Sequence, residues 1–146
     1  MDNKEMDFYQ KLRFKIKDWL QSGDGKNNKW AEYLMFAPDL FHLLCKLVID
    51  EEVLVADKAR LAAAIVYFIS PLDIIPEGLI GPLGYTDDIA VAAYVLNSII
   101  NHTDPEIVKR HWAGDGEVLE VIQRILASAD EMIGGGLWNK LKGKFK

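Results

Sequence analysis

The spacing of the apolar residues constrains this fold more than any other feature, because it is helical along almost the whole chain. In the N-terminal segment, apolar side chains recur every three or four positions, at Met6, Phe8, Tyr9, Leu12, Ile16, Trp19 and Leu20. The alternation of apolar and polar residues that is typical of β-strands does not occur. The sequence therefore predicts an all-α fold, a compact bundle of five to seven helices with a Pro/Gly-rich apolar loop between two core helices.

Residues with strong positional preferences predict the helix boundaries in the first half of the chain. Pro38 is expected to end a short helix over residues 30–36. Asp39 is expected to cap the helix that follows it, and Asp50 to cap a longer helix over residues 51–69. Carboxylates suit these positions because they accept hydrogen bonds from the free N–H groups of a first helical turn.

The same kinds of signal mark the helix starts in the second half of the chain. Asp87 and Asp88 are expected to open the helix that follows the Pro/Gly-rich loop. Asp104 followed by Pro105 is the pattern of a cap with proline at the first helical position. Asp115 is expected to cap the last long helix.

Length and composition limit the classes of protein to which the chain can belong. It has 146 residues, the size of a single domain (1–146), and half of them are hydrophobic, which excludes a disordered protein. The one cysteine, Cys45, excludes an internal disulfide and paired-cysteine zinc or redox motifs. A net charge of −5 argues against a nucleic-acid partner. Neither a signal-peptide pattern nor an apolar run of membrane-spanning length occurs, so a cytoplasmic location is expected.

The least ordinary segment is residues 70–84, which contain three of the five prolines and three of the eleven glycines. The segment is nevertheless apolar, whereas solvated loops are polar, so we expect it to fold back against the core. Ser70 is expected to cap a helical turn that has Pro71 at its first position, and Pro76 to disfavour helix just before it. The residues expected to set this backbone are Ser70, Pro71, Pro76, Gly81 and Gly84.

Four acidic residues lie within this segment or just after it: Asp73, Glu77, Asp87 and Asp88. If the segment doubles back, their carboxylates converge, and like charges repel unless a cation, a proton or a basic group compensates. Ligand sets made only of oxygen suit Mg²⁺, Ca²⁺ or Mn²⁺. These four residues are therefore the candidate binding site, and no cofactor other than such a divalent cation is expected.

Ordinary structural roles also explain these acids. Aspartate at a helix start is favoured by capping and by the helix dipole, which accounts for Asp87 and Asp88 without any ligand. Asp73 can cap its own turn or form an ion pair with Lys58 or Arg60 of the preceding helix. At the level of the sequence, the structural interpretation and the metal-site interpretation both stay open.

The prolines, glycines and acids of this region also occur in a recognisable order. The residues concerned are Pro38, Asp39, Leu40, Asp57, Lys58, those at 67–77, Gly84, Tyr85, Asp87 and Asp88. Their order resembles the YkvA-type domain of unknown function, a small helical domain that is widespread in bacteria and has a related form in some RING-type ubiquitin ligases. The resemblance covers about residues 38–100, and Glu77 stands where that domain more commonly has Asp. It implies a helical segment and a candidate site but no activity.

The remaining chemically versatile residues do not form a catalytic motif. His42, His102 and His111 lack the spacing of a metal-binding motif, and His42 is expected at the edge of the core. Cys45 is expected to be a small, buried apolar residue. The patterns of classical hydrolases and nucleotide-binding enzymes do not occur.

Charge is unevenly distributed along the chain. Residues 21–136 carry a net charge of −10, whereas residues 137–146 contain four lysines and no acid. Apolar residues at helical spacing make this tail a short amphipathic basic helix, able to lie on an anionic membrane or in a partner's groove. The favoured alternative is that the tail folds onto its own acidic domain and that Trp138 completes the core.

The sequence thus favours a non-enzymatic helical binding module. Its acid-rimmed surface is expected to bind a protein partner or a divalent ion through Asp73, Glu77, Asp87 and Asp88. The second hypothesis is a protein peripheral to the membrane, held there by residues 137–146 and the apolar loop. The third is a carboxylate-dependent metallohydrolase, for which the sequence offers no recognisable base or substrate-binding cluster.

Overall fold

The fold is known from a computed structural model that describes residues 3–21, 31–74, 86–101, 103–114, 116–133, 138–139 and 142–143. At positions 19, 31, 70–74, 86–88, 130 and 132–133 it describes the backbone alone. The predictions for Pro76, Glu77, Gly81 and Gly84 therefore lie outside the described residues.

The described residues form helices joined by turns, which confirms the all-α prediction. In chain order the helices are α1 (Asn3–Gln21), α2 (Ala31–Leu34), α3 (Ala37–Val48), α4 (Val55–Ile74), α5 (Thr86–Ile100), α6 (Pro105–His111) and α7 (Val118–Ile133). Residues 138–139 and 142–143 are also helical. Within these ranges, no helix combines the length and the hydropathy needed to cross a membrane.

Two helices, α3 and α5, form the centre of the bundle. Helix α3 packs against α1, α4, α5 and α6, and α5 packs against α2, α3, α4, α6 and α7. Their sequences are apolar around most of the helix, as expected for helices that are covered on several sides. The buried residues of α3 are Ala37, Pro38, Leu40, Phe41, Leu43, Leu44, Cys45 and Leu47, and the burial of Cys45 confirms its predicted role.

A cluster of three phenylalanines joins the outer helices α1 and α4 to the central helix α3. The ring centroid of Phe41 lies 4.7 Å from that of Phe8 in α1 and 5.6 Å from that of Phe68 in α4. The rings of Phe8 and Phe68 meet edge to face at 6.4 Å. Tilted and edge-to-face contacts of this kind add to the free energy gained by burying the rings.

The start of α3 differs from the prediction. Pro38 does not end the preceding helix but lies in the first turn of α3, where the N–H that proline lacks has no intrahelical acceptor in any case. Asp39 is likewise inside that turn, so its predicted position as the N-cap was wrong. The N-cap is Phe36, which has no side-chain capping bond.

Helix α4 also differs from the prediction, at both ends. It begins at Val55 rather than Glu51, because Asp50 closes a local turn: its Oδ1 accepts a hydrogen bond from the Glu52 N–H at 2.8 Å. It ends at Ile74 rather than near Ile69, so Ser70 is inside the helix and does not cap a separate turn.

Two of the three helix starts predicted in the second half of the chain are confirmed. The third was wrong: α7 begins at Val118, and the Glu117 carbonyl accepts a hydrogen bond from the Val121 N–H at 3.0 Å, so Glu117 rather than Asp115 holds the N-cap position. Helix α5 begins at Thr86, with Asp87 and Asp88 in its first turn. Asp104 is the N-cap of α6, where its side chain accepts a hydrogen bond from the Glu106 N–H at 3.0 Å. The Asp104–Pro105 pair therefore has the role that its order predicted.

The basic tail packs against the bundle at Trp138. This side chain is only 4% exposed, and its ring meets that of Tyr94 in α5 edge to face, with a centroid distance of 5.9 Å. The ammonium group of Lys142 lies 5.4 Å from the centroid of the Trp138 ring, on which it forms a cation–π contact. The prediction that Trp138 completes the core is confirmed.

Replacing Trp138 with Ala is expected to lower the free energy of unfolding by about 3 kcal/mol, because it leaves a cavity against Tyr94. Urea denaturation followed by circular dichroism measures this loss. Asn139→Ala is the matched control, since Asn139 is exposed on the same short segment. Equal stability of the two variants would contradict the packing of Trp138.

Candidate functional site

A buried charge cluster holds α4 against α5. Asp57, in the first turn of α4, is only 1% exposed, and its Oδ1 lies 2.7 Å from Nη2 of Arg60. Arg60 also donates a hydrogen bond from Nη1 to the hydroxyl of Ser98 in α5, at 2.6 Å. Asp57 and Arg60 meet because residues three apart lie on the same face of a helix. The cluster therefore fixes where α4 and α5 touch.

The contact between Arg60 and Ser98 relates the two helices that flank the predicted site. Arg60 is near the start of α4 and Ser98 near the end of α5, the kind of contact that antiparallel helices make. Asp73 is in the last turn of α4, whereas Asp87 and Asp88 are in the first turn of α5. An antiparallel arrangement of the whole helices would set the backbones of these three residues at the same end of the pair.

The structure leaves the convergence of the carboxylates as a prediction. It describes only the backbone of Ser70, Pro71, Asp73, Asp87 and Asp88, and residues 75–85 lie outside it. The side chains that are described include no group of three or more His, Cys, Asp or Glu placed to hold a metal ion. The side chains of the predicted acids are not among those described, so both the capping and the metal-site interpretations stay open.

One structural explanation for Asp73 was wrong. An ion pair of Asp73 with Arg60 or Lys58 would have to span about 20 Å along α4, because a helix rises about 1.5 Å per residue. Arg60 instead pairs with Asp57. In the sequence, Asp57 was noted only among the residues that carry the family resemblance, and no partner was predicted for it. The signal available in the sequence was the spacing of three residues between these opposite charges.

A second ionic cluster joins α6 to the turn between α3 and α4. His111 Nε2 lies 2.7 Å from Oδ2 of Asp50, and Arg110 Nη2 lies 3.3 Å from Oε2 of Glu52. The hydrogen bond with His111 lowers the pKa of Asp50 from its ordinary value, and the backbone N–H of Glu52 lowers it further. Sequence reasoning considered His111 only as a metal ligand and missed this pairing.

His42 lies at the edge of the core, as predicted. Its ring centroid is 5.4 Å from that of Tyr9 in α1, and its buried Nδ1 has no hydrogen-bond partner. Burial lowers the pKa of His42 below its ordinary value, and the positive charges of Lys46 and His111 act in the same direction. The neutral imidazole is therefore the form that the fold favours.

An open groove lies between α1 and the start of α3, and sequence reasoning did not find it. Its volume is about 810 Å³, and one end is closed by the segment between α6 and α7. The residues that line the groove include Arg13, Phe14, Lys17, Met35, Asp39 and Gly114. The available signal was Phe14, an apolar residue that lies off the buried stripe of α1.

Gly114 shapes the closed end of this groove. A Cβ atom at this position would clash with the ring of Trp112 and would lie 2.9 Å from Oδ2 of Asp39. Trp112 is held in place by a hydrogen bond from its Nε1 to the carbonyl oxygen of Gly116, at 3.1 Å. Glycine at position 114 therefore allows the backbone to close against both the indole and the carboxylate.

Comparison with known proteins finds that the centre of the chain is similar to a family without an assigned function. Residues 57–94 match the family described as "Protein of unknown function (DUF1232)". The chain is also 28% identical over 95 residues to "Uncharacterized protein ORF9" of Methanothermobacter thermautotrophicus, an alignment that covers 65% of each protein. No solved structure is significantly similar to this chain. The matched region is thus similar to a domain of unknown function, while the YkvA name remains a prediction.

Replacing Arg60 with Met is expected to lower the free energy of unfolding by about 3 kcal/mol, because it leaves the buried Asp57 carboxylate without its cation. Urea denaturation checks this. Arg110→Met is the control, since Arg110 is half-exposed and its pair with Glu52 contributes about 0–1 kcal/mol. Losses of the same size in both variants would contradict the role of the buried pair.

The low pKa of His42 predicts that the fold is destabilised by mild acid. The unfolded chain takes up this proton at the ordinary pKa of 6.5, whereas the folded protein takes it up only at lower pH. The contribution is therefore complete above pH 6.5 and is lost as pH falls from there through the folded pKa. Urea midpoints across this range are expected to fall less in His42→Gln than in the wild type, and identical slopes would refute the assignment.

Proposed function

We propose that this protein is a helical binding module whose recognition surface lies where α4 ends and α5 begins. The acids of this surface are Asp73, Glu77, Asp87 and Asp88, and its ligand is a divalent cation or a protein partner. The observation that carries the proposal is the contact of Arg60, near the start of α4, with Ser98, near the end of α5, which antiparallel packing of the two helices would give. Such packing would put the backbones of Asp73, Asp87 and Asp88 at one end of the pair.

The cluster of Asp57, Arg60 and Ser98 supports the proposal because it restricts the sliding and rotation of α4 against α5. A surface formed by two helix ends recognises a ligand well only if the helices keep their relative position. Carboxylates gathered there repel one another, and binding a cation relieves that repulsion. Oxygen ligands favour Mg²⁺, Ca²⁺ or Mn²⁺ over softer metals.

The extent of the family match agrees with this choice of surface. The matched residues, 57–94, begin at Asp57 and include all four acids, whereas α1 to α3, α6 and α7 lie wholly outside the match. The names of the family and of the relative assign no activity. The proposal therefore rests on the charge and the placement of the carboxylates.

We do not extend the proposal to membrane binding through residues 137–146. Interfacial helices attach by inserting aromatic and aliphatic side chains, and Trp138 is instead buried against Tyr94. Attachment by this anchor would require the tail to leave the bundle, at the cost of that buried contact.

Thermal unfolding with added Ca²⁺, Mg²⁺ or Mn²⁺ tests the cation as ligand. We expect the melting temperature to rise with cation concentration, since a ligand at a hundred times its Kd stabilises the folded state by about 2.7 kcal/mol. The variant Asp87→Asn/Asp88→Asn is expected to lose this rise. Asp7→Asn/Glu106→Gln, which removes two exposed acids elsewhere, is expected to keep it.

The outcomes separate the two ligand classes. Unchanged melting temperatures at millimolar concentrations of all three cations, with no heat of binding in calorimetry, would exclude the cation and leave the protein partner. A rise that is equally large in both double variants would show that the cation binds elsewhere and would contradict the proposed surface.

A further inference from the structure

The groove between α1 and α3 exposes large apolar side chains to solvent. The side chain of Phe14 is 74% exposed and that of Met35 is 52% exposed, and both line the groove. On α1, Phe14 points away from the side that buries Phe8 and Leu12 in the core. Exposed apolar side chains gathered beside charged ones are typical of surfaces that bind another protein.

The same wall of the groove carries positive charge. Arg13 and Lys17 are four residues apart on α1 and therefore share a face. The described residues include no acidic partner for either of them, in contrast to Lys11, which pairs with Asp7 at 3.4 Å, and Arg124, which pairs with Glu32. The Arg13 guanidinium lies 5.6 Å from the centroid of the Tyr9 ring, a contact that leaves its charge in place. The groove thus carries two positive charges on its α1 wall against the single carboxylate of Asp39 among its lining residues, on a protein of net charge −5.

The shape of the groove limits what it can hold. Its volume of about 810 Å³ corresponds to roughly two turns of α-helix, for a helix about 10 Å across. The groove is concave, whereas a bilayer presents a flat surface. A short helical segment can bring an apolar face and a charged face into contact with it together.

We propose that this groove binds an acidic amphipathic helix of a partner protein. Apolar side chains of that helix pack on Phe14 and Met35, and its carboxylates pair with Arg13 and Lys17. A long polyanion, such as a nucleic acid or an anionic bilayer, would also face the acidic remainder of the chain. A short acidic helix meets the groove alone, since charges more than about 8 Å away are screened at physiological salt. The groove lies outside the acid-bearing end of α4 and α5, so this inference is independent of the proposed function.

A fluorescein-labelled peptide tests the inference directly. The probe is a helix of about four turns (~14 residues) with leucine on one face and glutamate elsewhere, and its partner probe carries lysine in place of glutamate. In fluorescence anisotropy with the full chain, we expect the glutamate peptide to bind at least about tenfold more tightly than the lysine peptide. The difference is expected to shrink as salt is added.

Variants of the chain locate the binding surface. Arg13→Glu/Lys17→Glu and Phe14→Ser are each expected to weaken binding of the glutamate peptide by about tenfold or more. The matched controls are Lys109→Glu, an exposed cation of α6, and Val66→Ser, an apolar residue of α4 that is 63% exposed. Both controls are expected to bind like the wild type.

Three outcomes would overturn the inference. The first is equal affinity for the glutamate and lysine peptides. The second is binding only to vesicles of phosphatidylcholine and phosphatidylglycerol, abolished by the Arg13→Glu/Lys17→Glu variant, which would assign the groove to a membrane surface. The third is a larger loss of melting temperature in Phe14→Ser than in Val66→Ser without peptide, since Phe14 would then already be packed within this chain.

Discussion

The arrangement of this bundle depends on how it accommodates one buried charge. Asp57 is almost completely removed from water, and an isolated carboxylate in that position would cost several kcal/mol. Arg60, in the same helix, pairs with the Asp57 carboxylate and also donates a hydrogen bond to Ser98 of α5. Because hydrogen bonds depend on distance and angle, this cluster selects one register between two helices that apolar packing alone would allow to slide.

The periodicity of apolar residues was sufficient to predict the helices, while their boundaries depended on the order of a few polar residues and prolines. Asp104 before Pro105 was interpreted correctly, because the cap precedes the proline. Pro38 before Asp39 has the reverse order, and there the proline itself lies in the first turn. Asp50 was wrong as a helix cap because aspartate closes local turns as readily as it caps helices, and the residues after it decide between the two.

In the candidate site, too, features of the local sequence were predictable, whereas contacts between residues far apart in the chain were not. Asp73, Asp87 and Asp88 are recognisable in the sequence because they flank one unusual segment, and the structure places them in the last turn of α4 and the first turn of α5. The pairing of Asp50 with His111 joins residues that are far apart in the chain, and no local sequence pattern predicts it. The groove is harder still to predict, since its walls come from α1, α3 and the segment after α6.

The phenylalanine cluster has a consequence for the opposite face of α1. Phe8 anchors α1 to α3 and α4 through two ring contacts. Helix α1 is therefore already held in position when its other side faces the groove. A molecule that binds there does not have to order the helix first and avoids much of the conformational entropy that such ordering would cost. The core thus preorganises a surface that its own side chains reach at Ile16 and Pro38.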